Sequence, residues 1–132
     1  MSDPKRTCSN FAGACDRLKE GIAQYDGVSA LLRDGLIQRF EFTFELAWKA
    51  LKAVFENEGL IGLHSPKSVL REAFAAGLID DEELWLAMLD DRNATVHIYN
   101  EQRAIEISQH ILEKYAGPLG DLAEKLQQRA GY

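Results

Sequence analysis

The sequence has no apolar stretch approaching the length of a membrane span, and its start, Met1-Ser-Asp-Pro-Lys-Arg, leads into no hydrophobic signal region. A cytoplasmic location without membrane contact is therefore expected. Cysteine is scarce: Cys8 and Cys15 have no Cys or His at metal-ligand spacing, so we expect two small packing residues rather than a bridge, a redox pair or a metal site. No Gly-rich phosphate loop, no Asn-Gly hairpin turn, no sustained two-residue alternation and no internal repeat is present. A basic excess is missing too. The net charge of −6 cuts against a broad nucleic-acid surface, and DNA in particular, while leaving room for a small basic site or a basic protein partner.

What is present is helical. At 132 residues, 46% apolar and 27% charged, the chain can bury a core without disulfides or a structural metal, and residues 1–132 are expected to form one domain. A first helix is expected after Ser9 or Asn10, through Phe11, Cys15, Leu18, Ile22 and Tyr25, with Asp26-Gly27 as its stop. Ser29 should cap a long second helix from about Ala30 to Asn57, closed by Gly59 in the left-handed conformation. Its stripe reads Leu32, Leu36, Phe40, Phe44, Trp48, Leu51 and Phe55. Phe42 and Leu46 fall roughly opposite, so this helix should be covered on two sides, the second time by another helix or a second chain. Its charges read as a solvated edge with a Glu45–Lys49 pair, and Glu41 beside Glu45 is the one like-charged contact that asks for another explanation.

Ser65 and Pro66 should start a third helix that ends at Ala76 and Gly77, leaving His64 in a loop. Asp80, with Glu83 three residues on, should open a fourth whose core face is Leu84, Trp85, Met88 and Leu89. Asn100 should cap a fifth carrying Ala104, Ile107, Ile111, Leu112 and Tyr115, with His110 beside them lacking a nameable partner. Gly117-Pro118 should break or kink it before Leu119, Leu122 and Leu126 resume the pattern. The fold expected is an all-α antiparallel up-and-down bundle of four to five helices.

The segment Asp91 to Asn100 concentrates the chemistry. If the fourth helix continues through it, Arg92 and Tyr99 lie on nearly one line and Asn93 and His97 on the neighbouring one. A fixed cation, a group that titrates near neutrality and a phenol suit work on a phosphate. A plainer reading makes Arg92 a solvated helix residue, places His97 and Tyr99 at a helix end, and has Asn93 hydrogen-bond His97. Arg92 and His97 are five apart, about 140° round a helix. That is too far for one easy grip on a phosphate, unless the helix bends or a second subunit completes the site.

Two segments together, Arg33-Asp-Gly-Leu-Ile-Gln-Arg-Phe-Glu-Phe-Thr-Phe-Glu-Leu-Ala-Trp-Lys and Asp91-Arg92-Asn93 with His97 and Tyr99, resemble the nucleotidyltransferase substrate-binding family of the HEPN superfamily. The second is similar to the Arg-x4-His-x-Tyr signature of HepT-type toxins. The resemblance implies a HEPN-like bundle forming a homodimer, paired with a minimal nucleotidyltransferase as antitoxin. It further implies a metal-independent, cofactor-free endoribonuclease acting on RNA, silenced when the nucleotidyltransferase attaches AMP to the motif tyrosine, Tyr99. On that reading His97 is general acid or base, Arg92 holds phosphate oxygens and Asn93 orients the imidazole. A non-catalytic substrate-binding subunit of a nucleotidyltransferase complex, or a structural adaptor, would use the same cluster without cleavage.

Overall fold

The structure, a computed structural model, describes residues 3–95 and 100–129. The helices are α1 (Pro4–Gln24), α2 (Ala30–Asn57), α3 (Pro66–Ala75), α4 (Glu82–Thr95), α5 (Glu101–His110) and α6 (Ala116–Gln128), with a π-helical turn, Ile111–Tyr115, joining the last two. Among the described residues there are no strands, and no helix is long and apolar enough to cross a membrane. The all-α bundle expected from the sequence is what forms.

The long helix α2 is its axis, packed against α1, α3, α4, α5 and α6. Ser29 caps it by accepting from the Leu32 amide at 3.2 Å. It ends as the sequence indicates: Gly59, at φ +95°, lets the Leu60 amide reach back to the Phe55 carbonyl at 2.9 Å and the Gly59 amide to Glu56 at 3.1 Å. Leu36, Phe40, Phe44, Leu51 and Phe55 are at most 3% exposed, whereas Leu32 at the helix start stays 37% exposed. On the other side Phe42 is 38% exposed and Leu46 half-buried, so an apolar second face of α2 is left partly open. Such burial contributes about 1.5–3 kcal/mol per large side chain, and that is what holds α2 at the centre.

Four expectations need correction. α1 starts at Pro4, six residues before Asn10, because Asp3 accepts from the Lys5 and Arg6 amides at 3.1 and 3.4 Å and Pro4 sits where a missing N–H costs nothing. The cap of α4 is Asp81, which accepts from the Leu84 amide at 3.1 Å; Asp80 instead reaches Lys125 on α6 at 3.7 Å. Of the break or kink expected at Gly117-Pro118, no break forms. The π turn ahead of these residues, closed by the Ala116 amide on the Ile111 carbonyl, puts Pro118 in the first turn of the resumed α-helix, where proline is tolerated. Leu112, assigned to the core, is 42% exposed, while Ile111, Tyr115 and Leu119 are buried.

The two adjacent aspartates before α4 separate cap from surface pair. Asp81→Ala should lower the unfolding free energy in urea by about 1 kcal/mol. Asp80→Ala, which removes only a long and exposed ion pair, should cost less than about 0.5 kcal/mol.

Candidate functional site

Consecutive residues on a helix point about 100° apart, so the last turns of α4 send Asp91 and Arg92 to different neighbours. Arg92 faces α2. Its Nη2 donates to Glu45 Oε2 at 2.9 Å and its Nη1 to Asn93 Oδ1 at 3.2 Å. Trp48 Nε1 donates to the same Glu45 oxygen at 3.0 Å, and Lys49 Nζ lies 3.3 Å from the other. Glu45 therefore gathers an indole, an ammonium and a guanidinium, which resolves the Glu41–Glu45 repulsion that the sequence left open. Burial alone would push the Glu45 carboxyl up, but the Trp48 hydrogen bond, the Arg92 charge and Lys49 together hold it below its ordinary value.

Asp91 faces the other way and is 4% exposed. Three groups donate to it: the Tyr115 hydroxyl at 2.5 Å and His110 Nδ1 at 2.8 Å on Oδ2, and Arg103 Nη2 at 3.1 Å on Oδ1. Desolvation, the Asp91 hydrogen bond and the Asp91 charge push the Tyr115 hydroxyl well above its usual range, so it stays a donor. Tyr115 also stacks on Phe40 of α2, with ring centroids 5.3 Å apart. His110 and Tyr115 are five residues apart, which in an α-helix would leave them about 140° out of line. The π turn between them, bonded at five-residue spacing, brings both to one carboxylate.

Of the sequence-predicted site residues, Arg92 and Asn93 are brought together, with Asn93 accepting from Arg92. His97 and Tyr99 lie outside the described residues. Sequence reasoning missed Asp91 and Glu45. The signal for Asp91 was its spacing: Trp85, Met88 and Asp91, three apart, are the buried residues of α4, so a carboxylate stood on a core stripe. The two thiols behave as packing groups; burial pushes both Cys8 and Cys15 up to about 11, and Cys15 Sγ lies 3.7 Å from the Leu119 carbonyl. Among the described residues no group of three His, Cys, Asp or Glu side chains is placed to hold a metal ion.

Two measurements test these contacts. Asp91→Ala should cost about 3 kcal/mol or more in urea unfolding, since it strips a buried hydroxyl of its acceptor, whereas Arg103→Ala should cost less, about 1 kcal/mol, because Arg103 is 45% exposed and Tyr115 and His110 still donate to Asp91. Because the folded value of Glu45 is depressed, its contribution is complete above the ordinary glutamate value of 4.5 and is lost as pH falls below it. The stability gap between the native protein and Glu45→Gln should therefore be constant near neutrality and close in acid, as read by urea midpoints across pH.

Residues 6–128 match the family described as nucleotidyltransferase substrate binding protein like. Over 102 residues, 74% of this chain and 69% of the relative, the sequence is 36% identical to a Haemophilus influenzae protein named probable ribonuclease HepT. A Thermus thermophilus protein of known crystal structure is 43% identical and superposes with a TM-score of 0.79 over 89% of this chain and 98% of that one. A second solved structure, from Haemophilus influenzae and described as revealing the fold of a substrate binding domain of a nucleotidyltransferase, is 30% identical, with a TM-score of 0.81 over 92% of this chain and 99% of that one. Matched by the family over residues 6–128 and 36% identical to one curated relative, the chain belongs to the nucleotidyltransferase substrate-binding family.

Proposed function

We propose that the protein is a HepT-type toxin, a metal-independent endoribonuclease of the cytoplasm that works as a single-domain homodimer and is neutralised by a minimal nucleotidyltransferase. The observation that carries this reading is Arg92, the first residue of the Arg-x4-His-x-Tyr pattern, fixed at the end of α4 by Glu45 and Asn93 in a chain 36% identical to a protein named a probable ribonuclease. RNA brings its own nucleophile, the 2′-OH beside the scissile phosphate. As that oxygen bonds to phosphorus, a base takes its proton and an acid protonates the departing 5′-oxygen, leaving 2′,3′-cyclic phosphate and 5′-hydroxyl ends. His97 supplies one of these proton transfers, Arg92 favours the charge that builds on the phosphorane, and Asn93 sets the orientation of its neighbours. The second subunit completes the site across the apolar face of α2 that carries Phe42 and Leu46.

Silencing would use the last residue of the same motif. The Tyr99 hydroxyl loses its proton to solvent as its oxygen attacks the α-phosphorus of ATP and pyrophosphate leaves, and the attached AMP is a bulky anion of the kind an arginine such as Arg92 pairs with. One observation favours a second reading. The 30% identical Haemophilus influenzae structure is described as a substrate binding domain of a nucleotidyltransferase, which would make the cluster a non-catalytic holding surface.

Unmodified protein incubated with mixed RNA in EDTA should leave cyclic-phosphate and 5′-hydroxyl ends, and His97→Ala should lose that cleavage while keeping its helical spectrum. Absence of cleavage by protein shown by mass spectrometry to be free of AMP would select the holding-surface reading. Tyr99→Phe should escape silencing by the partner nucleotidyltransferase and ATP.

A further inference from the structure

A pocket of about 190 Å³ lies beside the Arg92 turn. Its floor is apolar, made by Ile37 of α2, Ala94 of α4 and Ala104 and Ile107 of α5, and its rim carries Asp34, Glu41, Thr95, Asn100 and Arg103. A dry cavity of about 150 Å³ accepts a benzene ring, so this one has room for a single flat heterocycle and is too small for an ordinary drug-sized ligand. The rim narrows the choice. Asp34 and Glu41, two turns apart on one line of α2, repel a phosphate but accept hydrogen bonds from a neutral base. On the facing wall Arg103 brings N–H donors, and its guanidinium is not loose: Asp91, 4% exposed, holds Nη2 at 3.1 Å and Glu106 lies 3.5 Å from Nη1.

The position of the pocket matters as much as its lining. Glu41 is one helical turn before Glu45, so the pocket opens about 6 Å along α2 from the carboxylate that holds Arg92. That is the kind of offset that separates a nucleotide's phosphate from its own base. A phosphate on Arg92 would place a flanking base over the pocket mouth, and single-stranded RNA is read by bases turned out of the stack in this manner.

We propose that this pocket is a nucleobase subsite selective for guanine, with one of the α2 carboxylates, Asp34 or Glu41, accepting from both the N1–H and the N2 amino group and Arg103 donating to the C6 carbonyl oxygen. Guanine is the base whose Watson–Crick edge sets two N–H donors side by side, the pattern a carboxylate matches; uracil sets its single N–H between two carbonyl oxygens, which the same carboxylates repel. The site names the base beside the phosphate and so deepens the ribonuclease reading, on which its use in RNA cleavage rests.

The test uses the native protein with guanosine and uridine 5′-monophosphates as probes, followed by titration calorimetry in EDTA, and then RNA cleavage mapped by sequence. Guanosine monophosphate should bind at least about tenfold tighter than uridine monophosphate, the discrimination expected of one bidentate pair. The double variant Asp34→Asn/Glu41→Gln, which keeps side-chain size and should keep the helical spectrum, should bring the two affinities together. Cleavage should cluster beside guanines in the native protein and lose that clustering in the variant. Equal affinities in the native protein, or selectivity that survives the double substitution, would overturn the subsite. Selective nucleotide binding without RNA cleavage would uphold the subsite and remove the ribonuclease reading. Cleavage without guanine preference or selective binding would do the reverse.

Discussion

A carboxylate inside a helical bundle is the constraint that organises this molecule. Asp91 sits on the core stripe of α4, where an unpaired charge would cost several kcal/mol, and it is made tolerable by donors drawn from one continuous stretch of chain: Arg103 on α5, His110 at its end, and Tyr115 at the end of the π turn. Each donor reaches it from a different depth. Arg103 is at the surface, His110 is a third exposed and Tyr115 is buried, so the charge is compensated along a line from solvent to core. The result ties α4 to α5 and the π turn that follows it, one residue before Arg92.

That tie explains a backbone irregularity that propensity alone does not. The residues from Ile111 to Tyr115 would form an ordinary α-helix in isolation, and Pro118 would then fall in a helix interior. With a π turn, His110 and Tyr115 face one carboxylate, Tyr115 stacks on Phe40, Leu112 is turned outward, and the proline lands in a first turn. One added residue in the turn serves both the buried charge and the proline.

Most of the fold was legible because its signals are local. Ser29, Ser65 and Asn100 cap where a side-chain oxygen precedes an apolar period, and Gly59 and Gly77, at φ +95° and +76°, stop helices where only glycine is at ease. At the fourth helix Asp80 was expected to cap and Asp81 does, since the cap is decided by which carboxylate meets the Leu84 amide. The Asp3-Pro4 start was overlooked because no apolar period begins there until Cys8. The site divided the same way. Arg92 and Asn93 are neighbours in sequence and were found together. Glu45 is 47 residues from Arg92 and Tyr115 is 24 from Asp91, and contacts of that span leave only indirect traces, such as the crowding of Glu41 and Glu45 or a histidine without a partner.

Charge balance is the point at which these parts meet. The protein carries a net charge of −6, yet the reading advanced for it requires an anionic polymer. Arg92 is held by Glu45 and Arg103 by Asp91, so each arginine arrives already oriented and already paired. Pairing weakens the long-range attraction that a bare arginine would exert, while fixing the direction in which its donors point. On that reading, the site does not gather RNA from a distance. It rewards a strand that is already in place, where an incoming phosphate shares Arg92 with a partly exposed Glu45 at a cost of about 1 kcal/mol or less. An acidic surface around two pre-set arginines thus trades breadth of binding for discrimination at the site.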